Sequence, residues 1–184
     1  MRGMPNEKEP QNKKYTIHIL AIRAINHETF DLSQEKNAII VCTDRDNKFI
    51  YECKPENILI MNFPDVEDKR YPGAFNSAHA RKIIRFIKGL SDEVTDIYVC
   101  CSKGGSRSQA VAAALLRMSG RKDMAVWNNP YYGPNTLVYL RLCLEYGLIE
   151  THLSTWIRTQ INRLAFFRAK KGRPCKYERW QILD

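Results

Sequence analysis

The stretch that most limits how this chain can fold is DIYVCCSKGGSRSQAVAAALL, residues 96–116. TDIYVCC (95–101) reads as a buried strand, because apolar, β-branched and aromatic residues follow one another with little polar alternation. RSQAVAAALLRMSG (107–120) reads as a helix with Gly120 at its C-terminal cap. Only a short glycine-bearing loop separates the two. A buried strand joined so tightly to a helix belongs to an α/β arrangement, in which helices cover a sheet whose strands run mostly parallel.

The rest of the chain repeats this alternation. KYTIHILAI (14–22), AIIVCTDRDN (38–47) and ENILIMNFPD (56–65) read as further strands, the last stopped by Pro64. SAHARKIIRFIKGL (77–90) carries apolar residues at helical spacing, with Ser77 as its expected N-cap, and TLVYLRLCLEYG (136–147) is a helix capped by Gly147. The predicted fold is α/β: a central, mostly parallel sheet flanked by helices on both faces, over residues 15–150. A polar arm (1–14) precedes it and a basic helical extension (151–184) follows it.

Charge sharpens that division. The net charge is +9, and +6 of it falls from Thr151 onward. Leu153, Trp156, Ile157, Ile161, Leu164 and Phe167 recur there at helical spacing, with Arg158 and Arg163 on the other side. The expectation is a helix docking its apolar face on the domain. The second reading is a basic amphipathic helix that meets an anionic partner, a nucleic acid or a membrane surface.

No apolar run approaches the ~18 residues of a membrane span, and the polar start lacks the apolar centre of a signal peptide. The expected location is therefore the cytoplasm. The six cysteines show no zinc-ligand spacing, and Cys42, Cys53 and Cys143 sit in apolar surroundings, as buried thiols of a reducing compartment do. His18, His27, His79 and His152 are scattered, so no metal site is expected.

The loop itself carries the chemistry. In an α/β sheet, ligands bind beyond the carboxyl ends of the strands, where CCSKGGSRS lies. Gly104 and Gly105 let the backbone curl with its amides inward, and a helix starting near Arg107 turns its positive end toward the same point. Ser102, Lys103, Gly104, Gly105 and Ser106 thus form a cradle suited to a dianionic phosphate. At its floor is a candidate nucleophile, Cys101.

The segment CSKGGSRS (101–108) resembles the signature loop of the protein tyrosine phosphatase superfamily, in particular its small dual-specificity-like members, whose pattern is Cys-x-x-Gly-x-Ser-Arg-Ser. The resemblance extends over about residues 15–148, and WNNPYYGPN (127–135) is similar to a segment of compact bacterial and phage members. It implies a cysteine-dependent phosphatase that needs no metal or organic cofactor. Cys101 would attack phosphorus as a thiolate, Arg107 would clamp two phosphoryl oxygens with its planar fork, and Ser108 would donate to the sulfur and help it leave. The general acid would come from MNFPDVEDKRYPG, where Asp65 lies thirty-six positions ahead of Cys101; Asp65, Glu67 and Asp68 all fit by spacing, and Asp65 and Asp68 are the leading candidates. The family's His before the nucleophile is replaced here by Cys100, which is expected to face the opposite side of the strand.

The implied partner is a phosphorylated substrate, with phosphoproteins the family default. Lys103 and the basic tail also admit an RNA 5′ end or a phosphoinositide. Asn128, Asn129 and Asn135 offer either a bond to the phosphate loop or ordinary turn and cap chemistry. The other functional class is a phosphate-binding module of the same fold without turnover.

Overall fold

The computed structural model describes residues 15–22, 35–44, 55–172 and 181–183. The arm at 1–14, Cys53, Cys175, His27 and the basic residues Arg173, Lys176 and Arg179 lie outside the described residues. So does the far end of the strand expected over 38–47.

A five-stranded sheet forms the centre, made of β1 (Thr16–Ala21), β2 (Asn37–Thr43), β3 (Ile58–Asn62), β4 (Asp96–Cys101) and β5 (Gln181–Leu183). Their spatial order is β3-β2-β4-β1-β5. The first four are mutually parallel and β5 pairs antiparallel with β1. The architecture is α/β, as the apolar strands imply: β2 is buried along its whole length, and no polar alternation marks a wet face there. Only three residues long, β5 was not anticipated.

The helices are α1 (Ser77–Gly89), α2 (Arg107–Met118), the single turn α3 (Met124–Trp127), α4 (Thr136–Tyr146) and α5 (His152–Lys170). Ala110, Ala112, Ala113 and Ala114 of α2 are all fully buried, and their small side chains let the helix lie close on the sheet. With Val99, Ile17, Ile40, Trp127 and Tyr139 they belong to the larger of two core clusters. A smaller cluster on the other face of the strands contains Leu20, Ile39, Val41, Tyr98 and Cys100.

Two caps differ from expectation. Asn76, not Ser77, caps α1: its Oδ1 accepts from the Ala78 and His79 amides, while His79 Nδ1 accepts from the Asn76 amide. Ser77 is already the first helical residue, so the cap falls to Asn76, and the His79 ring three residues on completes a capping box. At the end of α2 the cap is Ser119, and Gly120 follows it with φ +72°, the left-handed conformation that ends helices. Gly147 caps α4 with φ +90°, as expected.

The largest correction concerns α5. It forms where the periodicity places it, but with the opposite side inward. Leu153, Trp156, Ile157, Leu164 and Phe167 are exposed, Ile161 is half-buried, and Thr155 is the buried residue of the helix. The cause is a polar cluster on the domain. Asp123 and Glu150 are buried acids. Arg158 Nε donates to Asp123 Oδ2 at 2.9 Å and its Nη1 to Glu150 Oε1 at 3.0 Å. Tyr139 Oη and Trp127 Nε1 complete the coordination of Asp123 at 2.6 and 3.1 Å. Burying an unpaired carboxylate costs several kcal/mol, and turning Arg158 inward relieves that cost. The acids therefore decide which side of the helix faces in.

Candidate active site

The carboxyl ends of β2, β3 and β4 lie side by side, and each sends a residue toward one point. β4 ends at Cys101, β2 is followed by Asp44, and β3 by Phe63, Pro64 and Asp65. The Phe63 amide donates to the Thr43 carbonyl at 2.8 Å, which extends the β2–β3 pairing one step and fixes where the acidic loop departs.

Cys101 is 2 % exposed. Its Sγ lies 3.3 Å from Ser108 Oγ, on the first turn of α2. Burial by itself raises the thiol's pKa. The Ser108 hydroxyl and the backbone amides of Ser108, Ser106 and Gly105 outweigh it, and the net direction is down. The two neighbouring thiols go the other way. Cys42 is the register partner of Cys101 on β2 and is fully buried, which pushes its thiol far up. Cys100 points to the smaller cluster, donates to the Ile40 carbonyl at 3.5 Å and is raised by burial as well. Among these three, Cys101 alone has its pKa lowered. Cys143, raised by burial to about 12, sits near Tyr139 and Glu150.

The loop between Cys101 and α2 turns tightly. The Gly104 amide donates to the Cys101 carbonyl at 3.2 Å, and Gly104 has φ +63°, which needs glycine. Gly105 does not have a positive φ, and a Cβ there meets no atom within 4 Å, so the curl rests on Gly104 alone. Gln109, buried on α2, donates to the Gly104 carbonyl and pins the loop from beneath. Ser102 and Lys103 are exposed on the rim.

Arg107 is buried, and its guanidinium is held on two sides. Nη1 donates to the Phe63 carbonyl at 2.8 Å and Nη2 to Ser102 Oγ at 3.2 Å. The group lies over the Phe63 ring, 5.9 Å from its centroid. Asp44 Oδ1 stands 3.6 Å from Nη2, and Asp65 Oδ2 stands 3.9 Å from Nε. Nε has no hydrogen-bond partner among the described residues. A buried guanidinium nitrogen left open in this way is the donor an oxyanion would take.

Of the acidic residues with suitable spacing, Asp65 is the one joined to the loop. Its Oδ1 accepts from Ser106 Oγ at 2.8 Å and from Asn135 Nδ2 at 2.9 Å. Asp68 turns outward and pairs with Arg70, Nη2 to Oδ2 at 2.8 Å, which holds its carboxyl below the usual range. A carboxyl kept ionised in this way is poorly suited to give up a proton. Glu67 Oε1 accepts from the Thr136 amide and hydroxyl, both at 2.9 Å, and ties the acidic loop to the start of α4.

Asn135 performs both of the roles its sequence context offers. Its Oδ1 caps α4 through the Val138 amide at 3.1 Å, and its own amide donates to the Ser106 carbonyl at 3.4 Å. The Gly133 amide donates to the Gly105 carbonyl at 2.9 Å, so the 127–135 segment braces the 102–106 loop from outside. Asn129 Oδ1 serves turn chemistry, accepting from the Tyr131 amide at 3.0 Å.

Asp44, Gln109 and the Phe63 carbonyl were not singled out from sequence. The available signal was that Asp44 is the first charged residue after a buried strand, the position where such sheets gather ligand groups. Among the described residues, no group of three or more His, Cys, Asp or Glu is arranged to hold a metal. None of the described helices is long and apolar enough to cross a membrane. No family model matches this chain, and no curated protein matches it either.

Proposed function

We propose that this chain is a cysteine-dependent phosphomonoesterase with a fold of the protein tyrosine phosphatase type, to which the basic helix α5 is an extension. One observation carries the reading. A buried thiol with a lowered pKa lies at the end of a strand, beneath inward amides, with a buried guanidinium beside it.

In the proposed reaction Cys101 Sγ attacks phosphorus and forms an S–P bond as the ester P–O bond breaks. Asp65 gives its proton to the departing oxygen. Arg107 offers Nε and Nη2 to two phosphoryl oxygens and balances the charge that builds on them. Water then attacks the phosphocysteine, Asp65 takes the water's proton, and the S–P bond breaks to release inorganic phosphate. Ser108 stabilises the thiolate each time it forms, before attack and on departure. Ser102, Lys103, Gly104, Gly105 and Ser106 form the cradle. The substrate class proposed is a phosphoprotein, and the site of action the cytoplasm, where the thiol stays reduced.

The test is hydrolysis of an aryl phosphate in EDTA by the native protein and by Cys101→Ser. Turnover that persists in the chelator and disappears in the variant supports the assignment. Absence of turnover in both, with tungstate still bound, would make the domain a phosphate-binding module.

A further inference from the structure

The orientation of α5 leaves an apolar ridge facing outward. Arg158 is tied to Asp123 and Glu150, and Asn162 Nδ2 donates to the Trp127 and Asn129 carbonyls at 3.1 and 3.0 Å. These bonds fix the rotation of the helix about its axis. Leu153, Trp156, Ile157, Leu164 and Phe167 consequently stand 66, 58, 47, 55 and 58 % exposed. At 100° per residue they fall within an arc of about 100°, along a helix some 28 Å long.

The borders of this ridge are cationic. Arg163 and Lys170 flank one side and Arg168 the other, and the helix contains no Asp or Glu. Apolar and aromatic side chains on one face, with long cationic side chains at its margins, are what a helix lying in a bilayer interface presents.

We propose that α5 docks this chain on an anionic phospholipid surface. The occupant follows from shape and charge. A single helix on the outside of a domain is a convex ridge, and a bilayer receives a ridge without a matched groove. A second copy of the chain would bring one cation-bordered ridge against another, with no acid on either helix to offset the charge. Because the inner side is already anchored, the helix is formed before it docks and no ordering of α5 opposes binding. The inference stands on α5 alone and is independent of the reaction at Cys101.

The experiment is cosedimentation of the full chain with vesicles of phosphatidylcholine, alone or mixed with phosphatidylserine, at low and high salt. The native protein should pellet with the mixed vesicles at low salt and be released from them at high salt. Trp156→Ser/Phe167→Ser removes apolar contact, and Arg163→Gln/Arg168→Gln removes charge; each should weaken partitioning at least tenfold, and the charge variant by about thirtyfold. All four positions are exposed, so circular dichroism and thermal midpoints should match the native protein. Three results would overturn the proposal: a native protein that stays in the supernatant, equal retention by both lipid mixtures, or retention unmoved by either variant. Light scattering that shows a dimer broken by Trp156→Ser/Phe167→Ser, without vesicle binding, would assign the ridge to a second copy. Retention on poly-glutamate without vesicle binding would assign it to an acidic protein.

Discussion

Replacing Ser108 with Ala tests what lowers the pKa of Cys101. The hydroxyl is 3.3 Å from Sγ, and Ser108 is 0 % exposed, so solvent does not take its place when it is removed. A hydrogen bond to a charged group contributes about 1.5–3 kcal/mol, and one pKa unit corresponds to about 1.4 kcal/mol. The anion loses that stabilisation while the neutral thiol loses much less, so the pKa of Cys101 should rise by about one to two units. The assay is the rate of alkylation by iodoacetamide against pH, with Cys101→Ser as the blank for the other thiols. The native midpoint should lie below the ordinary thiol range, and the variant's curve should move to higher pH by that amount. The acidic limb of aryl phosphate hydrolysis should move with it, because activity is lost as pH falls through the thiol's pKa. An unchanged midpoint in Ser108→Ala would refute the reasoning and leave the backbone amides as the source of the shift.

Three further outcomes are expected. Asp65→Asn should slow hydrolysis of substrates with poor leaving groups by about a hundredfold or more and spare activated aryl esters, whereas Asp68→Asn should change neither; steady-state rates on the two substrate classes check this. Gly104→Ala should cost about 1 kcal/mol, because φ +63° is strained for alanine, while Gly105→Ala should unfold at nearly the native denaturant midpoint. Arg158→Ala strands Asp123 without its cation and leaves Glu150 only Arg117, 3.8 Å away, and should cost about 3 kcal/mol, read as a fall of about 10 °C in thermal midpoint.

The parts of the site legible in the sequence are those that lie close along the chain. Cys101 and Ser108 are seven positions apart across one loop, and a strand, a glycine turn and a helix bring them together with little freedom left. Asp65 was bracketed by spacing, but choosing it over Asp68 needed the partners: Ser106 and Asn135 draw one carboxylate to the loop, and Arg70 draws the other away. Asp44 was not legible because its place depends on strand order. Only when β2 is known to sit between β3 and β4 does the residue after it fall beside Arg107.

The reversal of α5 has a more general cause. Hydrophobic periodicity reports how a helix would bury itself if apolar contact were its only partner. It carries no information about charges waiting elsewhere on the domain. Asp123 lies before α3 and Glu150 just before α5, and neither reads as buried from its neighbours in sequence. Once both are inside, the helix must bring Arg158 to them, and the rotation that does so also turns Asn162 to the Trp127 and Asn129 carbonyls. The apolar stripe is then excluded from the core by geometry, since it lies on the far side of the same helix. An amphipathic pattern therefore fixes that two faces exist, while the buried polar groups of the rest of the fold fix which one looks outward.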